Sequence, residues 1–355
     1  MASLILQTNI ELAYYNNLRF VKLQKGQFIL FSEFLAFLFN KNLSFKLLDI
    51  RIEEDEYFYQ NNIRSVKQIK SGKILICNNH LYIYTLKSNE IKKEKIGMPN
   101  TENYEKILDV VECEDGTILG ISTEALYNII IKEEKNEIIQ IYKFPEKWLV
   151  SWENKDDYNG YLDLYILKEN KLLIHSHSYY YSRRCLNCSP TIYSESKIFI
   201  INLNKFGVIY SEQFPNIANI VVLNDYICIN HSDSIYIYDI NSYKILQKIE
   251  PDISNINKYA DNILIANNNY EVTLYDISNI NNIKYYKFED DFMRYFLFRK
   301  MNIYKLTQRC ILTIYSKIKI YEIVGKVNYK LLNVEKKTIK KNESKKNKNK
   351  KKKYK

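Results

Sequence analysis

Glycine, proline, histidine and tryptophan are scarce in this chain: eight Gly, five Pro, four His and two Trp among 355 residues. With so few glycines, no G-x-G-x-x-G, Walker A or G-x-S-x-G sequence occurs. That excludes the common phosphate-cradling loops and the strained nucleophile elbow. Long apolar runs are missing as well. The most apolar stretch, residues 28–39, is twelve residues long and contains Glu33, short of the roughly 20 residues a spanning helix needs, so no transmembrane segment is expected. The opening MASLILQTNIELAYY lacks a basic n-region and a small-residue cleavage site, so it does not read as a secretory signal. The six cysteines stand at 77, 113, 185, 188, 228 and 310, four of them in apolar strand contexts. They read as free thiols in a reducing compartment.

A repeat fills the chain. Each copy is a weak strand, a Gly/Asn/Asp turn, a Leu/Ile strand, a few polar residues and an aromatic-rich strand. The copies include VKQIKSGKILICNNHLYIYTL from Val66, VVECEDGTILGISTEALYNII from Val110 and VVLNDYICINHSDSIYIYDI from Val221. The residue opening the second strand recurs as Gly26, Gly72, Gly116, Asn170, Asp225, Asp261 and Gln308, at spacings of 46, 44, 54, 55, 36 and 47. A period of about 40–50 residues is that of a four-stranded propeller blade. The second and third strands are apolar at successive positions, so both sheet faces must be covered, as when each blade packs between two neighbours. The prolines at 99, 145, 215 and 251 fall between units, where no ladder hydrogen bond is lost.

These signals predict an all-β chain: a seven-bladed β-propeller of four-stranded antiparallel blades. A single domain is expected over residues 1–334. Its blades fall at about 18–50, 63–95, 107–144, 161–213, 219–250, 256–288 and 297–333, and a strand near Leu4–Ile10 closes the last blade. Residues 335–355 carry twelve Lys and two Glu. Without apolar periodicity, that segment reads as a disordered basic tail. It also explains the net charge of +11, because the other 334 residues hold 40 basic and 39 acidic side chains. The body is not a basic nucleic-acid surface by composition; only the tail is strongly cationic.

The segments SIYIYDI, ending at Ile240, and VTLYDI, ending at Ile277, resemble the third strand of a WD40-type repeat. Tyr238-Asp239 and Tyr275-Asp276 stand where that family has Trp-Asp. The family's Gly-His dipeptide is absent throughout. The resemblance implies a propeller fold; the missing Gly-His leaves a related propeller outside that family open, and no partner follows from the family name.

Four places could carry chemistry. His175 and His177 followed by Cys185-x2-Cys188 could form a Cys2His2 structural zinc site, the only cofactor expected; the alternative is a hairpin with free thiols and solvated imidazoles. Arg183 and Arg184 in the same insertion resemble the paired Arg of phosphoinositide-binding propellers, though Cys185 stands where Gly usually follows; the alternative is a solvated pair. Trp148 and Trp152, between the third and fourth units, are either a partner anchor or seam filler. Lys345, Lys346, Lys348, Lys350, Lys351, Lys352 and Lys353 could hold a polyanion or act as a nuclear-import signal. No catalytic constellation stands out. The sequence therefore reads as a non-catalytic interaction scaffold or adaptor, a monomer within a larger complex, cytoplasmic or nuclear. The alternatives are an RNA- or ribosome-associated protein using the tail, and an enzyme with a site in the central channel.

Overall fold

The protein is seen as a computed structural model that describes most of residues 3–331. The segments 12–18, 49–62, 97–105, 146–158, 183–190 and 289–301, several shorter turns and everything after 331 lie outside the described residues. Trp148, Trp152, Arg183, Arg184, Cys185, Cys188 and the tail lysines are among the latter.

Glycine's conformational freedom is used at the tight turns that open the second strands of two early units. Gly72 and Gly116 sit at φ 85° and 88°, and their amides donate to the carbonyls of Ile69 (2.8 Å) and Cys113 (3.1 Å). A Cβ at Gly116 would meet open space, so the demand is for the left-handed backbone, where a side chain is strained. Each turn folds a weak strand back onto an apolar one, and the described strands gather into seven antiparallel sheets.

Strand β1 (Ser3–Glu11) joins the last sheet rather than the first. Sheet 1 holds β2 (Arg19–Lys22), β3 (Phe28–Phe31), β4 (Ala36–Phe39) and β5 (Phe45–Leu48). Sheet 2 holds β6 (Ser65–Gln68), β7 (Ile74–Cys77), β8 (Leu81–Leu86) and β9 (Ile91–Ile96). Sheet 3 holds β10 (Asp109–Glu112), β11 (Ile118–Ile121), β12 (Ala125–Ile130) and β13 (Glu137–Lys143). Sheet 4 is longer, with β14 (Asn159–Leu167), β15 (Lys171–Ser182), β16 (Thr191–Asn202) and β17 (Gly207–Phe214). Sheet 5 holds β18 (Ile217–Val222), β19 (Tyr226–His231), β20 (Ser234–Asp239) and β21 (Ile245–Ile249). Sheet 6 holds β22 (Asn255–Ala260), β23 (Ile263–Asn267), β24 (Val272–Asp276) and β25 (Lys284–Phe288). Sheet 7 holds β26 (Asn302–Lys305), β27 (Cys310–Ile314) and β28 (Lys317–Val324). A two-residue strand, β29 (Lys330–Leu331), ends the described chain.

Within each sheet the strands of one unit pair in chain order, and the first strands of sheets 1 to 4, and again of sheets 5 to 7, lie side by side. The apolar doublets explain how the sheets stack. In β7, Ile74 and Ile76 join a buried cluster with Ile29 and Phe31 of sheet 1, while Leu75 and Cys77 join another with Val110 and Tyr127 of sheet 3. Cluster by cluster, the same arrangement links sheets 3 and 4, 4 and 5, 5 and 6, and 6 and 7. Six apolar clusters thus join seven sheets in sequence. Between the last and first sheets, Tyr304 of β26 stacks on Phe20 of β2 with ring centroids 5.0 Å apart. Burying one Ile or Leu side chain contributes about 1.5–3 kcal/mol, so these seams hold the molecule together. The architecture is an all-β propeller of four-stranded antiparallel blades.

The two ends of the chain meet the sheets differently. β1 pairs antiparallel with β28, from Ser3↔Val324 to Glu11↔Lys317, and becomes the outer strand of sheet 7. The sequence reading placed 297–333 wholly in the last unit. Instead Lys330 and Leu331 pair with Tyr285 and Lys284 as a fifth strand of sheet 6. The reason is occupancy: β1 already fills the outer place beside β28. No helix among the described residues is long and apolar enough to cross a membrane.

Candidate functional site

Every first strand carries a polar residue at or near its start, Arg19, Ser65, Asp109, Asp163, Asn219, Asn255 and Asn302, which is the first residue of its strand in five sheets, the fifth in β14 and the third in β18. These pair with Phe31, Cys77, Ile121, His175, Asn230, Asn267 and Ile314 on the second strands. First strands are innermost in a propeller, so the heads ring one mouth of the axis. In sheets 4 to 6 the second-strand partner is polar as well, and His175, Asn230 and Asn267 are all buried.

Asp109 is the centre of this ring. It is 1% exposed and accepts hydrogen bonds from the Ser65 hydroxyl of sheet 2, from its neighbour Val110 N–H (2.8 Å) and from Leu164 N–H of sheet 4 (2.7 Å). One carboxylate thus ties three sheets together. The Lys67 ammonium lies 3.7 Å from it. About 40% of the Lys67 side chain is reached by solvent, against 1% for Asp109. Burial pushes the Asp109 carboxyl above the usual carboxylate range; Lys67 works against that shift and Asp163 adds to it. Burial pulls on Lys67 in the opposite sense, but Asp109 and Asp163 outweigh it and raise its pKa. Burial also pushes the Cys77 thiol well up, with Asp109 adding to it, so Cys77 is held as an unreactive thiol.

Farther round the ring the same device recurs with other groups. The Ser196 hydroxyl of β16 accepts from Ile217 N–H of sheet 5 (3.1 Å) and contacts His177 Nδ1. Asn219 of sheet 5 accepts from Ile256 N–H (3.4 Å), and its amide donates to the Ile256 carbonyl of sheet 6. Asp109, Ser196 and Asn219 each bridge a seam, supplying backbone groups of the next sheet with partners that water would otherwise provide. At the opposite end, Gln24 N–H donates to Gln68 Oε1 (2.6 Å), and Lys70 Nζ donates to the carbonyls of Cys113 (2.9 Å) and Glu114 (2.6 Å).

His175 and His177 come together, with ring centroids 6.0 Å apart. Both are buried in sheet 4, with His175 Nδ1 3.6 Å from Asp163. The strand pair continues from His177↔Ser196 to Ser182↔Thr191, five further residues or roughly 16 Å of strand. Cys185 and Cys188 lie beyond that point, outside the described residues. Among the described residues no group of three His, Cys, Asp or Glu is placed to hold a metal.

The ring of polar heads escaped the sequence reading, although a signal was present. Ser65 and Asp109 stand immediately before the repeat copies at Val66 and Val110, and Asn219 stands two before the copy at Val221. A lone polar residue at a strand start reads as solvated until the neighbouring sheet is in place.

The insertion that holds His177, Arg183 and Cys185 begins as an extension of the strands themselves. β15 and β16 run twelve residues each, against four to eight for the second and third strands elsewhere. β14 accompanies β15 as far as Tyr179, and β17 accompanies β16 as far as Ser196. Beyond those points the two strands pair only with each other among the described residues.

No family model matches the chain, and no curated protein matches it significantly in sequence. Solved structures are similar in fold. Virginiamycin B lyase from Staphylococcus aureus aligns over 91% of this chain and 100% of its own, at TM-score 0.57 and 12% identity. The WD40 domain of SCAP from fission yeast aligns over 91% and 98%, at 0.44 and 10%. Hsv2 from Kluyveromyces marxianus aligns over 90% and 97%, at 0.45 and 10%. At these identities the likeness is one of fold alone. The chain's own four-stranded sheets, stacked face to face about an axis, make it a β-propeller.

Proposed function

We propose that the chain is a non-catalytic protein-interaction scaffold whose seven sheets close into one ring. The observation that carries this reading is the β15–β16 ribbon. Its outer part, Tyr180–Ser182 with Thr191–Glu195, is paired to neither β14 nor β17 among the described residues. That part of the ribbon stands outside the four-stranded ladder of sheet 4, and a segment extended beyond the scaffold ladder is a place for contacts with other molecules. The buried polar groups at the strand starts support the same reading. Asp109, Ser196 and Asn219 are occupied in joining sheets. The fold itself does not choose, since one of the similar structures is a lyase by name and function resides in sites rather than folds.

The test is an affinity capture with mass spectrometry, comparing the full chain with a variant whose residues 180–193 are replaced by a two-residue turn. The scaffold reading expects a defined protein set that the shortened ribbon loses while thermal unfolding stays unchanged. If the full chain and the variant retain the same proteins, the ribbon is not the contact. If the full chain retains none, the scaffold reading fails.

A further inference from the structure

Large apolar side chains that remain exposed are few among the described residues, and their placement is not scattered. They are Ile139 (45%), Val208 (37%), Ile209 (44%), Ile245 (37%) and Leu246 (39%). All five lie on the outer strands β13, β17 and β21 of three consecutive sheets. Isolated surface aliphatics need no explanation, whereas adjacent pairs at the entry of two neighbouring outer strands, Val208 with Ile209 and Ile245 with Leu246, point to a contact surface.

The backbone beside them is unusual in the same way twice. The turns entering β17 and β21 hold Phe206 at φ 49° and Tyr243 at φ 54°, a left-handed conformation that bulky side chains rarely adopt. Each aromatic reaches back to the outer strand of the preceding sheet. Phe206 stacks on Tyr142 of β13 at 5.5 Å, and Tyr243 packs on Tyr210 of β17 at 5.3 Å. Next to them, β17 and β21 each carry a register shift that leaves Ile209 and Leu246 out of the ladder. These shifts interrupt the strand edge, so a partner would dock there through side chains rather than add a strand.

Charge identifies the partner's chemistry. Lys205 and Lys244 lie in the two turns, both exposed, and neither ammonium forms an ion pair among the described residues. The nearby carboxylates are engaged: Glu212 by the hydroxyls of Tyr210 and Tyr238, Asp239 by the amides of Asn241 (3.1 Å) and Ser242 (2.6 Å). We propose that this rim of sheets 4 and 5 docks an amphipathic acidic segment of a partner protein. Its aliphatic residues cover Val208, Ile209, Ile245 and Leu246, and its flanking Asp or Glu pair with Lys205 and Lys244. The proposal rests on the scaffold reading and adds a second surface, at the opposite end of sheet 4 from the β15–β16 ribbon.

The test is selection of a random-peptide display library on the full chain, followed by affinity measurement of the enriched peptides on the double variants Ile209→Ser/Leu246→Ser and Lys205→Glu/Lys244→Glu. Because all four side chains are exposed, both variants should keep the wild-type circular dichroism and melting temperature. The expected result is enrichment of peptides with aliphatic residues flanked by Asp or Glu. Their affinity should drop at least tenfold on the serine variant and several-fold, in a salt-dependent manner, on the charge-reversed one. Enriched peptides that are basic, or that bind both variants as tightly as the wild type, would overturn the proposal, as would a library yielding none. Sedimentation with vesicles containing 30% phosphatidylserine forms a separate arm, and vesicle binding lost in the same variants without peptide enrichment would assign the rim to a membrane instead. If the native protein set survives both rim variants but not the shortened ribbon, this surface is wrong and the scaffold reading stands.

Discussion

Asp109 shows how much one buried side chain does in this molecule. It accepts from Ser65, Val110 and Leu164 and lies beside Lys67, so it joins sheets 2, 3 and 4 at the axial mouth. Its pKa is raised, by burial first and with Asp163 adding, against the pull of Lys67. A carboxylate raised on folding contributes stability that is fully present below its unfolded pKa and is lost as pH rises through the folded value. Asp239 has the opposite sign. The amides of Ser242 and Asn241 hold it below the usual range, so its contribution is present above the unfolded pKa and lost as pH falls through the folded one. Asp109→Asn should therefore be less stable than the native chain at pH 4.5 and lose part of that deficit at pH 7. Urea unfolding at the two pH values measures the difference, and a deficit that grows toward pH 7 would show that pairing with Lys67 dominates burial. None of this was legible from the residue alone. Asp109 opens a short strand as a lone carboxylate between Leu108 and Val110, and only the sheet-4 backbone reveals that it is buried.

Strands and turns were far more legible, because their signals are local. Turn residues such as Gly72 and Gly116 and the doubled apolar strands identify each unit without knowledge of its neighbours. What local pattern cannot say is which distant strand completes a sheet. The reading of Leu4–Ile10 as a closing strand held because the last unit was one strand short, and β1 does pair with β28. The placement of Lys330–Leu331 was missed because two residues carry no periodicity. Deleting residues 2–12 should leave β28 with an open edge. We expect the melting temperature to fall by about 10 °C, equivalent to several kcal/mol in a chain of this size. The synthetic peptide SLILQTNIE should restore part of the loss in a concentration-dependent way. An unchanged melting curve would mean that β1 adds nothing to sheet 7. The β15–β16 ribbon was half legible: an insertion was evident from spacing, but its form as one long strand pair was not.

Over the whole molecule, charge separates into two regimes. The 334 residues before the tail are nearly neutral, and the last 21 carry a net +10. Binding to a polyanion such as poly(U) should follow the tail. A chain of residues 1–334 should unfold normally but lose most of that binding. The full chain's affinity should fall at least tenfold between 50 and 200 mM salt as counterion release is suppressed. Retention of the same affinity and salt slope by the truncated chain would move the contact to the blades and favour the nucleic-acid reading over the scaffold. One feature of the ring also bears on how it is made. β1 is synthesised first, yet its partner β28 lies more than 300 residues later. At roughly 5–20 residues per second, the first strand waits about 15–60 s for its mate. During translation it is an unpaired edge of nine residues, so chaperone dependence and aggregation in the cell should follow the speed of the ribosome rather than the stability of the finished ring.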